Sequence, residues 1–161
     1  MYRIGQSSDV HPLVENKKLI LGGIEIPYHK GLEGHSDGDA LLHAIAEAII
    51  GALALNDLGH FFDDSDESIK GISSSLILKK IVALMEEKGY EINNVDSLVI
   101  IEKPKLKNFI QLMKENIAKL LKTDEKNVNV KATCCEKMGF VGQGEGVIAQ
   151  AVVLLKKCEK I

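Results

Sequence analysis

Apolar positions change their period several times along the chain, and each change marks an element. Residues 1–10 are half apolar and read as a strand. Apolar runs at 18–21 and 24–27 flank Gly22-Gly23, which predicts a hairpin. Residues 28–38 read as a loop rich in Gly and His. A helix follows, with Ser36 as expected N-cap and Asp39 at the capping-box position. Its apolar face is Leu41, Leu42, Ile45, Ile49, Ile50 and Leu53, and it ends near Asn56. Residues 57–68 form a polar, acidic loop, and 74–88 a second helix stopped by Gly89. The run 95–101 has strand length and is closed by Pro104; 106–121 is a third helix. Residues 128–133 alternate as a strand, 137–146 are a Gly-rich loop, and 147–155 are a β-branched last strand. The predicted order is β-β-β-α-α-β-α-β-β. It implies an α/β fold, an α+β two-layer sandwich of a mixed β-sheet with helices on one face. The strands after Val95 are apolar on both faces, so a second subunit is expected over the open face.

Composition narrows this further. The 161 residues fit a single domain, 1–161, and at 45% hydrophobic they can bury a core. Aromatics are 4% with no Trp, so the core is aliphatic. A net charge of −3 without a basic block argues against nucleic acid as partner. The N-terminus turns polar by its fifth residue, unlike a signal peptide. The longest apolar stretch, 40–55, is broken by His43 and Glu47, so no membrane span is expected. Cys134, Cys135 and Cys158 are odd in number, with two adjacent, a poor disulfide framework. Together these predict a cytoplasmic protein.

The first chemical signal is Asp9-Val10-His11. In an extended segment Asp9 and His11 point to the same side. His43 joins them from the first turns of its helix, and two His with one Asp suit a zinc ion with one coordination position open. An open position lets a substrate oxygen reach the metal. Asp39, four residues before His43, is expected to accept the other ring N–H of His43. Taken singly, His11 also reads as a surface residue before Pro12, and His43 as a satisfied core histidine. The concentration of histidines and acids in residues 1–60 favours the site.

Two other segments stay open. The acids Asp57, Asp63, Asp64, Asp66 and Glu67 read either as a solvated turn or as a site for hydroxyls or a hard cation, with Glu136 a further candidate ligand. The glycines of GFVGQGEG either cradle an anion with freed amides or connect two strands tightly. No Lys-Ser/Thr follows them, so this is not a phosphate loop of the Walker type. Consecutive strand residues face opposite ways, so one metal cannot easily take both Cys134 and Cys135.

The motifs RIGQSSDVHP, LGGIEIPY, GLEGHSDGDALLHAIAEAIIGA, LNDLGHFF, DSD, VNVKAT and EKMGFVGQGEG, spread over nearly the whole chain, resemble those of the 2-C-methyl-D-erythritol 2,4-cyclodiphosphate synthase family. The resemblance implies a homotrimer that releases CMP from 4-CDP-2-C-methyl-D-erythritol 2-phosphate, with each site between neighbouring subunits. By position, Asp9, His11 and His43 match the zinc ligands, and Asp9, Val10 and His11 also match substrate contacts. Glu136 matches a residue of a second ion, Mg²⁺ or Mn²⁺. His35 and Ser36 match a loop closing over the phosphates, His35 with a catalytic role. Asp57, Leu58 and Gly59 match the part that holds the methylerythritol hydroxyls, beside Phe62, Asp63, Asp64, Ser65 and Asp66. Ile101, Glu102, Lys103, Pro104, Lys105, Leu106 and Lys107 match the cytidine pocket. Thr133, Cys134, Cys135 and Glu136 match the segment at the diphosphate and ribose, and Phe140 is grouped with them.

The chain departs from that pattern in places. Cys134 stands where a catalytic Thr hydroxyl is usual, and a thiol is the weaker donor. Asp63 replaces a common Pro. Gln143 replaces an Arg near the trimer axis, so an isoprenoid diphosphate there is expected to bind weakly or not at all. Two other readings use the same residues: a zinc phosphoesterase that activates water, and a trimeric binding module with a structural zinc. The second needs a fourth ligand, for which only His29 and His60 are spare.

Overall fold

The structure is a computed structural model that describes residues 1–159. The described residues form seven strands and five α-helices, four strands and three helices coming before strand and helix begin to alternate. The strands are β1 (Tyr2–Glu15), β2 (Leu19–Leu21), β3 (Ile24–Ile26), β4 (Lys30–Leu32), β5 (Tyr90–Ile100), β6 (Val128–Thr133) and β7 (Gly146–Lys157). The helices are α1 (Ala40–Ala52), α2 (Leu58–Phe61), α3 (Ser74–Glu87), α4 (Ile110–Leu121) and α5 (Gly139–Gly142). The sheet order is β4-β1-β7-β5-β6, with β5 and β6 parallel and the other pairs antiparallel. The hairpin of β2 and β3 lies apart as a two-stranded sheet.

Alternation along the strands decides what each face does. On β1, Gly5, Ser7, Asp9, His11 and Leu13 point under the helices, while Tyr2, Ile4, Gln6, Ser8 and Val10 point outward. On β7, Val147, Ala149, Ala151, Val153 and Leu155 are buried, and Val152 is exposed between them. Helix α1 lies across β1 and β7 with its aliphatic residues fully buried, and α3 packs beside it. This is the expected two-layer sandwich with helices on one face. The outward face carries Ile4, Val10 and Val152, exposed by 70%, 54% and 44%. Isolated exposed aliphatics are ordinary, but a row of them on one sheet face is the mark of a contact surface.

Several local expectations are corrected. Helix α1 starts at Ala40, capped by Asp39 rather than Ser36. Gly38, with φ +77°, turns the chain against the Leu32 carbonyl and postpones the first helical turn. Strand β1 runs five residues beyond its expected end and pairs with β4 inside the segment read as a loop. Helix α4 begins at Ile110, because 106–109 form a separate turn in which Leu106 O accepts from Phe109 N and Ile110 N. Strand β5 begins at Tyr90 and carries an irregularity between Ile92 and Asn94. Short helices α2 and α5 occupy the acidic and the Gly-rich loops.

Candidate metal centre

Strand β1 and helix α1 bring Asp9, His11 and His43 together. Glycine makes the approach possible: a Cβ on Gly5 would lie 1.9 Å from the Ala48 carbonyl oxygen of α1. His11 Nε2 is 2.8 Å from Asp9 Oδ2, and His43 Nδ1 is 3.5 Å from the same oxygen. Each residue offers one ligand atom, and the three atoms lie within 4.8 Å of one another. Among the described residues no other group of three such side chains meets this test. One carboxylate and two imidazoles, half-buried and facing a cavity, are a donor set that could hold a metal ion and leave a coordination position open.

The electrostatics agree. Burial would raise the Asp9 carboxyl, but hydrogen bonds and attraction from the His11 and His43 rings outweigh it and hold it down at about 2. Burial disfavours a charged His11, yet the Asp9 carboxylate outweighs that and raises the ring above its usual value. Both shifts arise from one carboxylate lying close to two imidazoles, and a bound cation would take the place of the ring protons there.

Each ring is fixed from behind. His11 Nδ1 lies 2.6 Å from the Glu33 carbonyl oxygen, which leaves Nε2 to face the cavity. Gly34 permits this, since a Cβ there would sit 2.9 Å from the His11 ring. His43 Nε2 lies 2.9 Å from both Ser36 Oγ and Ser74 Oγ. Asp39 does not play the part expected of it. Its carboxylate, fully buried, accepts from Gly22 N, Gly23 N and Leu42 N at 2.7 to 3.0 Å. It therefore ties the β2–β3 turn to the start of α1, and burial pushes its acid up to about 6 against those bonds. Ser74 and Asp37, which sequence reasoning missed, stand behind His43 instead. The only signal was a pair of small polar residues near helix starts, too common to single out.

The predicted site residues fall into two cavities. One, of about 250 Å³, holds the metal cluster with Gly34, His35, Ser36, Leu58, Gly59, Phe62 and Asp64, and is walled by Ile69, Ile72 and Ile77. The other, of about 470 Å³, is lined by Ile101, Pro104, Lys105, Leu106, Lys107, Ile110, Val130, Ala132, Thr133 and Cys134. Their linings share no residue. The first sits on β1 and the second on β6, three strands away, or about 14 Å at ordinary strand spacing.

The remaining predicted residues line neither cavity. Val10 points to the opposite sheet face. Asp57 caps α2, and Asp63 and Asp66 accept hydrogen bonds from Ser65 and Ser68 within their own loop. Glu102 is engaged by the protein itself, accepting from Cys135 N at 3.0 Å and Lys137 N at 3.3 Å. Glu136 is exposed, lies outside the metal cluster, and meets Cys134 Sγ at 3.5 Å. Lys103 flanks the larger cavity, and Phe140 is exposed on α5. Gln143 is exposed, and its Nε2 donates to the Lys137 carbonyl oxygen at 2.9 Å.

Comparison with known proteins points one way. The YgbB family matches residues 2–156. The 2-C-methyl-D-erythritol 2,4-cyclodiphosphate synthase of Brachyspira hyodysenteriae is 56% identical over 155 residues, covering 96% of this chain and 98% of that protein. The solved structure of the bifunctional IspDF from Campylobacter jejuni superposes with a TM-score of 0.95 at 42% identity; the match covers 99% of this chain and 43% of that one. An IspF CDP complex from Plasmodium falciparum gives a TM-score of 0.86 at 34% identity, covering 98% of this chain and 97% of that one. With a family match along nearly its whole length and a relative more than half identical, the chain belongs to the YgbB family.

Proposed function

We propose that the chain converts 4-CDP-2-C-methyl-D-erythritol 2-phosphate to 2-C-methyl-D-erythritol 2,4-cyclodiphosphate and CMP, in the non-mevalonate route to isopentenyl diphosphate. The observation that carries this is the Asp9-His11-His43 cluster opening into a cavity, in a chain whose relatives bear that enzyme's name. The nucleophile is already a phosphate anion, so no strong general base is required. One 2-phosphate oxygen bonds to the β-phosphorus, and the bond from that phosphorus to the oxygen of CMP breaks. Most of the catalysis then falls to positioning and charge stabilisation.

Asp9, His11 and His43 would hold a Zn²⁺ ion, which supplies positive charge to the β-phosphate. Glu136 would serve a Mg²⁺ or Mn²⁺ ion arriving with the diphosphate. His35 and Ser36 rim the metal cavity and would close over the phosphates. Leu58, Gly59, Phe62 and Asp64 would take the methylerythritol part, with Asp57 holding its hydroxyls. The β6 cavity, with its apolar floor and lysines at 105 and 107, suits the cytidine and its phosphate. A CDP complex among the solved relatives supports a nucleotide ligand.

The two cavities lie on different strands of one sheet, and a neighbouring subunit would bring the β6 cavity of one chain beside the metal cavity of another around one substrate. A homotrimer packed through the outward face supplies that arrangement, with each chain acting as one catalytic domain. Three free thiols fit a reducing cytoplasm, and no helix of the described residues is long and apolar enough to cross a membrane. Phosphorus NMR of the purified protein with the CDP substrate tests the reaction. A cyclic diphosphate with CMP is expected, abolished by chelation while the oligomer persists. An opened chain with inorganic phosphate would identify a phosphoesterase instead.

A further inference from the structure

An imidazole binds a cation only through its unprotonated nitrogen. In His43, Nδ1 faces Asp9, while Nε2 meets the hydroxyls of Ser36 and Ser74. A hydroxyl can give or take a proton at such a contact. The distances alone do not say which ring nitrogen holds the hydrogen, but the group beyond the hydroxyl does.

Ser74 Oγ donates to Asp37 Oδ1. Ser74 N donates to the same carboxylate at 3.1 Å, and Asp39 N does so at 3.1 Å. That carboxylate takes three donors and gives none. With its one hydrogen committed to Asp37, Ser74 Oγ meets His43 Nε2 as an acceptor. Ser36 Oγ accepts from Gly38 N at 3.3 Å and lies 3.4 Å from Ser74 Oγ, where its own hydrogen finds a partner. The proton of His43 therefore belongs on Nε2, and the Nδ1 lone pair faces the cluster.

We infer that Ser74, oriented by Asp37, is a positioning residue that sets the tautomer of His43 for metal binding. This rests on the reading of Asp9, His11 and His43 as a metal centre. Ser74 is 1% exposed at the first turn of α3, so bulk water does not compete for its hydroxyl. Asp37 comes from the loop before α1, and α3 packs against α1, so the relay also fixes where the ring stands. Outer partners of this kind shift metal affinity by about 10–100-fold.

Two measurements test it. In the zinc-free parent protein, above neutral pH and with ¹⁵N-labelled histidine, NMR should find the His43 proton on Nε2. A proton on Nδ1 overturns the inference, whatever any variant does. In Ser74→Ala, chelator competition should show zinc bound about 10–100-fold more weakly, with part of the His43 population moved to the Nδ1–H form. Unchanged affinity overturns the inference, and so does a loss with the proton still wholly on Nε2. If the parent binds no zinc, the metal reading fails, and the ring measurement still judges the tautomer.

Discussion

His11 and His43 meet one requirement by different means. The Glu33 carbonyl serves His11, and no side chain records it in the sequence. Hydroxyls backed by a carboxylate serve His43. The state of His11 has a consequence in solution. Its ring is more basic than a free imidazole, because the Asp9 carboxylate outweighs the cost of burial. Lowering the pH adds a proton at Nε2 and removes the lone pair a metal needs; raising the pH restores it. Zinc affinity should therefore weaken as the pH falls, beginning above the ordinary histidine range. Titration with a competing chelator at several pH values measures this, and a flat profile contradicts it. Strand spacing made it legible that Asp9 and His11 face one way and left His43 a plausible companion, while the family's motifs made the three a candidate metal set. Asp39 was misjudged because a capping residue is not yet helical, so counting four residues back does not put it beside His43.

The elements were legible to the extent that they were long. Helices α1 and α3 show their period over enough residues to be read, and strand β7 shows itself as a long apolar, β-branched run. Strand β4 and helices α2 and α5, of three or four residues, are too short to show one. Pairing order is another matter, since alternation says which way a side chain faces and nothing of which strand lies beside it. The contact of β1 with α1 is where element geometry governs the site. Gly5→Ala would force the strand and helix apart, because its Cβ meets helix backbone that cannot turn aside. A cost of about 1–3 kcal/mol is expected. Weaker zinc binding should accompany it, since two ligands sit on β1 and one on α1. Thermal melts with and without zinc test this; a variant matching the parent in both would show that the elements adjust freely.

At the scale of the molecule, the outward sheet face and the two separated cavities make the same demand. Ile4 and Val152 on that face are exposed, and the pairing Ile4↔Leu154 and Gln6↔Val152 places them in adjacent rows. Val152→Lys should leave the fold and zinc binding intact, yet yield monomers by sedimentation and lose turnover. A monomer that retains full turnover would refute the shared site. The expectation of an oligomer came from an apolar excess on the late strands, whereas the distance between cavities depends on a strand order that no local pattern encodes. That order also bears on how the protein is made. Strand β1 lies between β4 and β7, with Tyr2 opposite Lys156 and Pro12 opposite Gly146. During synthesis the first strand leaves the ribosome long before its central neighbour exists, and contacts so distant in sequence form slowly. Asp9 and His11 thus lie on a strand that has β4 and α1 beside it early but lacks its central partner until β7 is made. The candidate metal centre, although Asp9, His11 and His43 come from neighbouring segments of the sequence, is completed only once a distant strand has paired beside β1, and a partly made chain has no finished site with which to capture a stray ion.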